Sequence, residues 1–218
     1  MQIYLFFTTL YYHIVNRMVF LFLAKQLLFE LSYQKKLFTF ECKTYFLRKL
    51  NFKVKNYITL QLFKSFQKVN FYTFQYEKDE QTETDKFFSK FEEDMSVSED
   101  LNNLVIWLSL IGQKYGAKID FFRHEALAQA LPPPMSKMMR EVIVNNLRLY
   151  CVWISDEIVI LANGGLKTSQ RVQDSPDTLP YFRFANAMSK QINELIKERD
   201  FKFKGKNIIN LNDIELTY

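Results

Sequence analysis

The sequence predicts an α+β fold, with a mostly antiparallel sheet and separate amphipathic helices. Residues 70–76 and 147–154 alternate two kinds of side chain with the period of two that is typical of strands. Residues 82–95 and 179–199 instead repeat apolar side chains every third or fourth position, as in helices. Since the predicted strands and helices occur in runs and do not alternate strictly, this pattern favours an α+β arrangement over a parallel α/β one.

Composition divides the chain near residue 70. The first 70 residues hold 11 Lys or Arg against two acidic residues, a net charge of +9, which leaves −4 for the remainder of this +5 chain. All five glycines and all five prolines lie beyond residue 111. We therefore expect residues 1–69 to be a basic, aromatic-rich extension, helical or disordered, and residues 70–218 to form the folded domain.

Two interpretations of the extension are open. Its residues are mostly Phe, Tyr, Leu, Ile, Lys, Asn, Gln and Thr, the composition that translation of A/T-rich DNA gives. This fits an over-extended reading frame ahead of a start near residues 69–71. A basic amphipathic helix on a membrane surface, around residues 15–31, is the other. A spanning helix is disfavoured because charges interrupt the apolar run well short of about 18 residues. A secretory signal fits poorly, since the positive n-region and the small-residue cleavage site are missing.

Two helices are expected after the first strand. The stripe on residues 82–95 consists of Phe87, Phe88, Phe91 and Met95. Ser96-Val97-Ser98-Glu99 has the spacing of a capping box and begins the second helix, whose stripe is Leu101, Leu104, Val105, Leu108 and Ile111. Gly112 and Gly116 would end it.

The remaining elements follow from local signals. Residues 119–122 are expected to be a short extended piece and residues 123–134 a loop stiffened by three prolines. A strand pair spans residues 147–163, with a sharp, positive-φ exit at Asn163-Gly164-Gly165. A helix starts near Ser175-Pro176 or Leu179-Pro180, and residues 201–218 form a polar tail with at most one strand, near Ile208 or Ile214.

Residues 146–168 resemble the sheet core of the RelE/ParE superfamily of bacterial toxins, in particular its HigB-like branch. The likeness rests on the strand with Arg148 and Tyr150, the turn at Asp156-Glu157, and the exit at Lys167-Thr168. It extends over roughly residues 70–200 and is strongest over 123–171. The resemblance implies a strand, a helical hairpin, an antiparallel sheet and a C-terminal helix.

The resemblance also implies a set of site residues. Arg148 and Lys167 would clamp a phosphate, and Tyr150 would stack on a base or transfer a proton; these three are the expected catalytic residues. Substrate-binding residues would be Arg123, His124 and Arg171. His124 has a side chain that titrates near neutral pH.

Neither a metal nor a cofactor is expected. Cys42 and Cys151 stand apart, no metal-ligand spacing occurs, and the glycines lack a nucleotide-binding fingerprint. Two unpaired cysteines suit the reducing cytoplasm.

The resulting functional hypothesis is the toxin of a type II toxin–antitoxin pair. It would be a metal-independent endoribonuclease that acts on mRNA, free or on the ribosome, and is restrained by a small antitoxin protein. The net charge of −4 after residue 70 favours an alternative, a non-catalytic protein-interaction module on the same fold. Membrane contact is expected only if the extension is real.

Overall fold

A computed structural model describes residues 56–134, 144, 146–169, 171 and 174–218. A compact unit runs from Lys55 to Tyr218. Cys42, residues 15–31 and the other residues before Asn56 lie outside the described part, and so do both interpretations of the extension.

The compact unit is α+β, as expected, and its centre is a sheet of seven strands. The sheet order is β3-β4-β5-β6-β2-β1-β9, with β2 and β6 parallel and all other neighbours antiparallel. A separate hairpin pairs β7 with β8. The strands are β1 Tyr57–Ser65, β2 Asn70–Tyr76, β3 Arg123–Glu125, β4 Ala128–Leu131, β5 Leu147–Ser155, β6 Ile158–Leu166, β7 Phe203–Lys204, β8 Asn207–Ile208 and β9 Leu216–Thr217.

Helices cover both faces of the sheet. The α-helices of the described part are α1 Glu83–Phe91, α2 Ser98–Leu110 and α3 Leu179–Glu198. One core lies between the sheet and α3, and a second lies between the sheet and the α1–α2 pair. Coverage on both sides explains why residues 158–162 of β6 are apolar and fully buried. Within the described residues, no helix has the length and apolar character needed to cross a membrane.

The sheet extends beyond the expected strands at both ends of the chain. β1 pairs with β2 from Ile58 opposite Tyr76 to Ser65 opposite Asn70, so the compact unit includes residues before position 70. Its other edge pairs with β9, where Ile58 lies opposite Leu216. The expected polar tail is therefore wrong for its last residues, because Leu216 is fully buried in the core.

Two helices follow β2, as expected, but their boundaries differ from the expected ones. Thr82 caps α1 by accepting a hydrogen bond from the backbone N–H of Asp85 at 3.2 Å. The helix ends at Phe91, and Met95 is 87% exposed. The capping box at Ser96 is wrong: Ser96 donates its hydroxyl to Asp94 at 2.6 Å, and α2 begins without a side-chain cap.

The segment before the strand pair also differs. Residues Ile119–Phe121 form a 3₁₀ turn where an extended piece was expected. The expected loop at residues 123–125 is strand β3, paired with β4. β3 is only three residues long, so its own sequence is too short to show a strand period.

Gly164 and Gly165 lie inside β6, and the expected positive φ at this point is wrong, since the positive-φ glycines are Gly116 and Gly205. Gly164 is needed for another reason. A Cβ atom at this position would lie 1.8 Å from the backbone oxygen of Arg148 on β5. The glycine thus permits a close approach of the two strands.

Candidate functional site

The pairing of three neighbouring strands places several charged residues on one face of the sheet. Arg123 on β3 lies opposite Ala130 on β4, which in turn lies opposite Tyr150 on β5. Glu125 lies opposite Ala128. Because residues two apart in a strand share a face, Arg123 and Glu125 lie on the same side, beside the two small alanine side chains of β4.

The end of β6 brings a second cation to this region. Arg148, two residues before Tyr150 on β5, lies opposite Gly165 on β6. Lys167 follows Gly165 by two positions, and its backbone N–H donates to the carbonyl oxygen of Asn146 at 2.8 Å. This hydrogen bond extends the pairing just beyond the strand and keeps Lys167 beside Arg148.

We define the basic cluster as Arg123, Arg148 and Lys167 together with Glu125. Burial lowers the pKa of Lys167, and the charge of Arg148 lowers it further. Burial raises the pKa of Glu125, although Lys167, Arg123 and Arg148 each act to lower it. The three cations and the carboxylate are therefore electrostatically coupled, and positive charge is in excess.

Members of the basic cluster differ in their access to solvent. Arg148 is 8% exposed, and its Nη1 donates to the carbonyl oxygen of Leu147 at 2.8 Å. Arg123 and Lys167 are partly exposed, and Nη2 of Arg123 donates to the carbonyl oxygen of Pro133 at 3.4 Å. An anion that arrives from solvent would meet Arg123 and Lys167 before Arg148.

Tyr150 lies at the same place but in the core. Its side chain is fully buried, and its ring makes an edge contact with Phe182 of α3, with centroids 6.2 Å apart. Burial raises the pKa of its hydroxyl to about 12, against a smaller opposing effect of the neighbouring Thr178. In this position Tyr150 packs the start of α3 against the sheet and does not present a ring to solvent.

His124 and Arg171 are not brought into the basic cluster. Alternation along β3 places exposed His124 on the side opposite to Arg123 and Glu125. Arg171 is exposed in the loop after β6, where its carbonyl oxygen accepts a hydrogen bond from the Ser169 hydroxyl at 2.6 Å. Among the described residues, neither contributes to the pKa shifts within the basic cluster.

Glu125 is the site residue whose role the sequence did not predict. The sequence signal that could have identified it is the i, i+2 spacing of Arg123 and Glu125. This spacing puts both side chains on one face if the segment is a strand, but has no such meaning in a loop. Because residues 123–125 were expected to be a loop, that spacing carried no information.

Polar contacts, buried at Asn163 and more exposed at Asp177, fix the end of β6 that carries Lys167. Asn163 donates its side-chain amide to Glu83 of α1 at 3.1 Å and accepts the N–H of Gly164 at 2.7 Å. Asp177 accepts the N–H of Leu166 at 2.7 Å and pairs with Lys90 of α1 at 2.5 Å. These contacts hold β6 to α1 and to the turn before α3.

The described part also has a cleft away from the basic cluster, and it lacks a group of metal ligands. An open cleft of about 470 Å³ is lined by Asn56, Tyr57, Tyr76, Glu77, Lys78 and Asp79. These residues lie at the start of β1, at the end of β2 and in the following turn, and not in the basic cluster. No group of three His, Cys, Asp or Glu side chains in the described part is arranged to hold a metal ion.

Comparisons with protein-family models, with curated proteins and with solved structures found no match to this chain. The residues and geometry of the chain itself therefore carry the functional argument.

Proposed function

We propose that the chain is a RelE/ParE-like toxin that cleaves RNA at the basic cluster. The observation that carries this proposal is that strand pairing places Arg123 and Glu125 on β3, Arg148 on β5 and Lys167 after β6 on one face of the sheet. Excess positive charge in a partly buried place binds a phosphate group well, because it is only partly screened by solvent.

The site residues take distinct roles in this mechanism. Glu125 accepts the proton of the 2′-hydroxyl, whose oxygen attacks the adjacent phosphorus. A carboxylate with a raised pKa is a stronger base than an ordinary one. Arg123 stabilises the charge that develops on the phosphate, and Arg148 adds to the positive potential from a more buried position. Lys167, with its lowered pKa, donates a proton to the 5′-oxygen as the phosphorus–oxygen bond breaks. The products are a 2′,3′-cyclic phosphate and a 5′-hydroxyl, and the step requires no metal.

The proposed partner is a small antitoxin protein that covers the basic cluster. An acidic segment of such a partner would complement the charge of Arg123 and Lys167. The resemblance around residues 146–168 supports this role, and the proposed compartment is the cytoplasm. The target is mRNA, on the ribosome or free.

A non-catalytic interaction module is the second candidate. The burial of Arg148 and Tyr150 favours it, because a polynucleotide cannot easily contact buried side chains. A partner segment, in contrast, needs to contact only Arg123 and Lys167. This module would bind the acidic partner but leave RNA intact.

Induced expression of the full chain tests the proposal. We expect growth arrest with loss of intact mRNA, relieved by Lys167→Ala and by Arg123→Ala. Removal of one preorganised charge from such a site costs about 10²–10³ in rate. Lys190→Ala, a change of an exposed lysine on α3, is the matched control and should remain toxic. Arg148→Ala is less suitable, because its guanidinium is buried and its loss would also affect folding.

The two candidates give different results. If the wild-type chain leaves growth and transcripts intact but binds an acidic partner through Arg123 and Lys167, the interaction module replaces the ribonuclease. If the Lys167→Ala and Arg123→Ala variants are as toxic as the wild type, the basic cluster is not the active site.

A further inference from the structure

The hairpin β7–β8 follows α3 and has a defined, tight turn. Phe203 lies opposite Ile208 and Lys204 opposite Asn207, with Gly205 and Lys206 between them. Gly205 has a φ of +55°, which glycine adopts without strain and which suits the first position of a two-residue hairpin loop.

Hydrogen bonds fix this hairpin to the start of β2. The hydroxyl of Tyr72 donates to the carbonyl oxygen of Lys206 at 3.3 Å and accepts the N–H of Ile208 at 3.1 Å. The side-chain amide of Asn70 donates to Asn207 at 3.0 Å. A segment held in this way loses little conformational entropy when it binds a ligand.

The first strand of the hairpin and the residue before it carry an aromatic ring and two cations. Phe203 is 41% exposed, and its ring contacts the ring of buried Phe201, with centroids 6.2 Å apart. Lys202 and Lys204, on either side of Phe203, are exposed. The ring thus packs on Phe201, while alternation along the strand places Lys202 and Lys204 on the other face of the hairpin, next to the ring in the chain.

A second basic segment lies against the hairpin. Nζ of Lys206 donates to the carbonyl oxygens of Phe66 and Gln67, in the turn between β1 and β2. Residues 64–70 and 201–211 together contain five lysines and no acidic residue. The carboxylates next to these segments are those of Asp200, directly before Phe201, and of Glu157, whose Oε2 lies 3.6 Å from the position of a Cβ atom at Gly205. Within these two segments lysine is therefore in excess over acidic residues.

We propose that the β7–β8 hairpin is a second binding surface, and that its ligand is single-stranded RNA. One base stacks on Phe203, and the adjoining phosphates bind Lys202 and Lys204. Stacking on an exposed aromatic ring between cations is a common way of holding single strands without sequence preference. The choice of RNA as the nucleic acid rests on the proposed function.

A membrane surface fits this hairpin less well. Interfacial binding scales with the apolar area that is buried, and the exposed large apolar side chains of this segment are Phe203 and Ile209.

The hairpin and the basic cluster lie at opposite ends of β6. Gly205 is near Glu157, just before this strand, whereas Lys167 directly follows it. Nine strand residues span roughly 30 Å, so the two surfaces would contact different nucleotides of one RNA. The hairpin therefore anchors the strand at a distance from the cleavage site and does not belong to that site.

Fluorescence anisotropy of the full chain with a short 2′-O-methyl oligouridylate tests the inference. This probe lacks the free 2′-hydroxyl needed for cleavage, so binding is measured alone. We expect Phe203→Leu, which keeps an apolar side chain but removes the ring, to weaken binding about 5- to 150-fold, since stacking contributes about 1–3 kcal/mol. Phe203→Trp should keep the affinity. The double change Lys202→Gln and Lys204→Gln should reduce the slope of log affinity against log salt by about 1.4.

Further variants distinguish this inference from the proposed function. Lys190→Gln is the control for loss of a surface charge and should bind as the wild type does. If Lys167→Ala abolishes binding while Phe203→Leu has no effect, the hairpin inference is overturned and the basic cluster stands. If Phe203→Leu weakens binding and Phe203→Trp restores it, the hairpin stands even if the wild type cleaves no RNA. Binding to phosphatidylserine vesicles but not to the oligonucleotide would overturn the inference in favour of a membrane surface.

Discussion

At the scale of single residues, the neighbours across the sheet determine what a charged side chain can do. Arg148 and Tyr150 lie on one face, as the alternation in residues 147–154 predicts, but that face is covered by α3. The side chain of Tyr150 is consequently buried, and the more accessible chemistry lies with Arg123, Glu125 and Lys167.

The raised pKa of Glu125 predicts how the stability of the protein depends on pH. Burial raises its pKa in the folded protein above the ordinary value of about 4.3. The folded state therefore holds this proton more tightly than the unfolded state, so the contribution of Glu125 to stability is largest below the ordinary pKa. That contribution is lost as pH rises through the raised pKa. We expect Glu125→Gln to increase the free energy of unfolding at neutral pH and to have little effect near pH 3.

Urea unfolding of both proteins across this pH range measures the difference. Glu93→Gln, which removes an exposed carboxylate after α1, is the matched control. A Glu125→Gln variant that is less stable than the wild type at pH 7 would contradict the argument, because the carboxylate would then gain more from the three cations than it loses by burial.

At the scale of elements, the first turn of a helix is stabilised only where a side chain reaches its free N–H groups. Thr82 does this for α1, whereas Ser96 is turned towards Asp94 and does not cap α2. Both serine and threonine occur at positions that the sequence marks as helix starts. The hydrogen bonds that the two side chains make show that Thr82 is an N-cap and that Ser96 is not.

We expect Thr82→Ala to reduce the free energy of unfolding by about 1 kcal/mol, the usual effect of losing an N-cap. Ser96→Ala should change it by less than about 0.5 kcal/mol, as at other surface positions. Chemical denaturation of the two variants provides the comparison. Equal losses would mean that Ser96 also stabilises its helix.

At the scale of the whole molecule, β1 joins the two ends of the compact unit. It pairs with β2 along most of its length and with β9 near its start. Ile58 and Leu60 contribute to the core that α3 covers. A domain that started near residue 70 would lack this strand and expose the edge of β2.

Two truncated chains test this arrangement. Residues 55–218 should fold cooperatively, as judged by near-ultraviolet circular dichroism and a single unfolding transition. Residues 71–218 should be insoluble or unfolded, because an unpaired, largely apolar edge promotes aggregation. If the shorter chain folds as well as the longer one, the domain boundary near residue 70 that the composition indicates is correct after all.

Several elements were predictable because their signal is local. β2, β5, β6 and α3 are long enough to show a period of two or of about 3.6, and the apolar residues 158–162 indicate a strand buried on both faces. Arg148 and Lys167 were expected at a site because of the resemblance around residues 146–168, and strand pairing brings these two residues side by side.

The remaining features depend on partners distant in the sequence. β3 and β9 have three and two residues, too few to show a period, and exist as strands because β4 and β1 supply their hydrogen bonds. Gly164 is fixed by the backbone of Arg148, and the proximity of Glu125 to Lys167 arises only when four strands lie side by side. The sequence by itself determined the α+β class and the long elements, because period and polarity are local properties. Only the tertiary structure decided the strand order, the burial of Tyr150 and the composition of the basic cluster, because each depends on contacts between residues far apart in the chain.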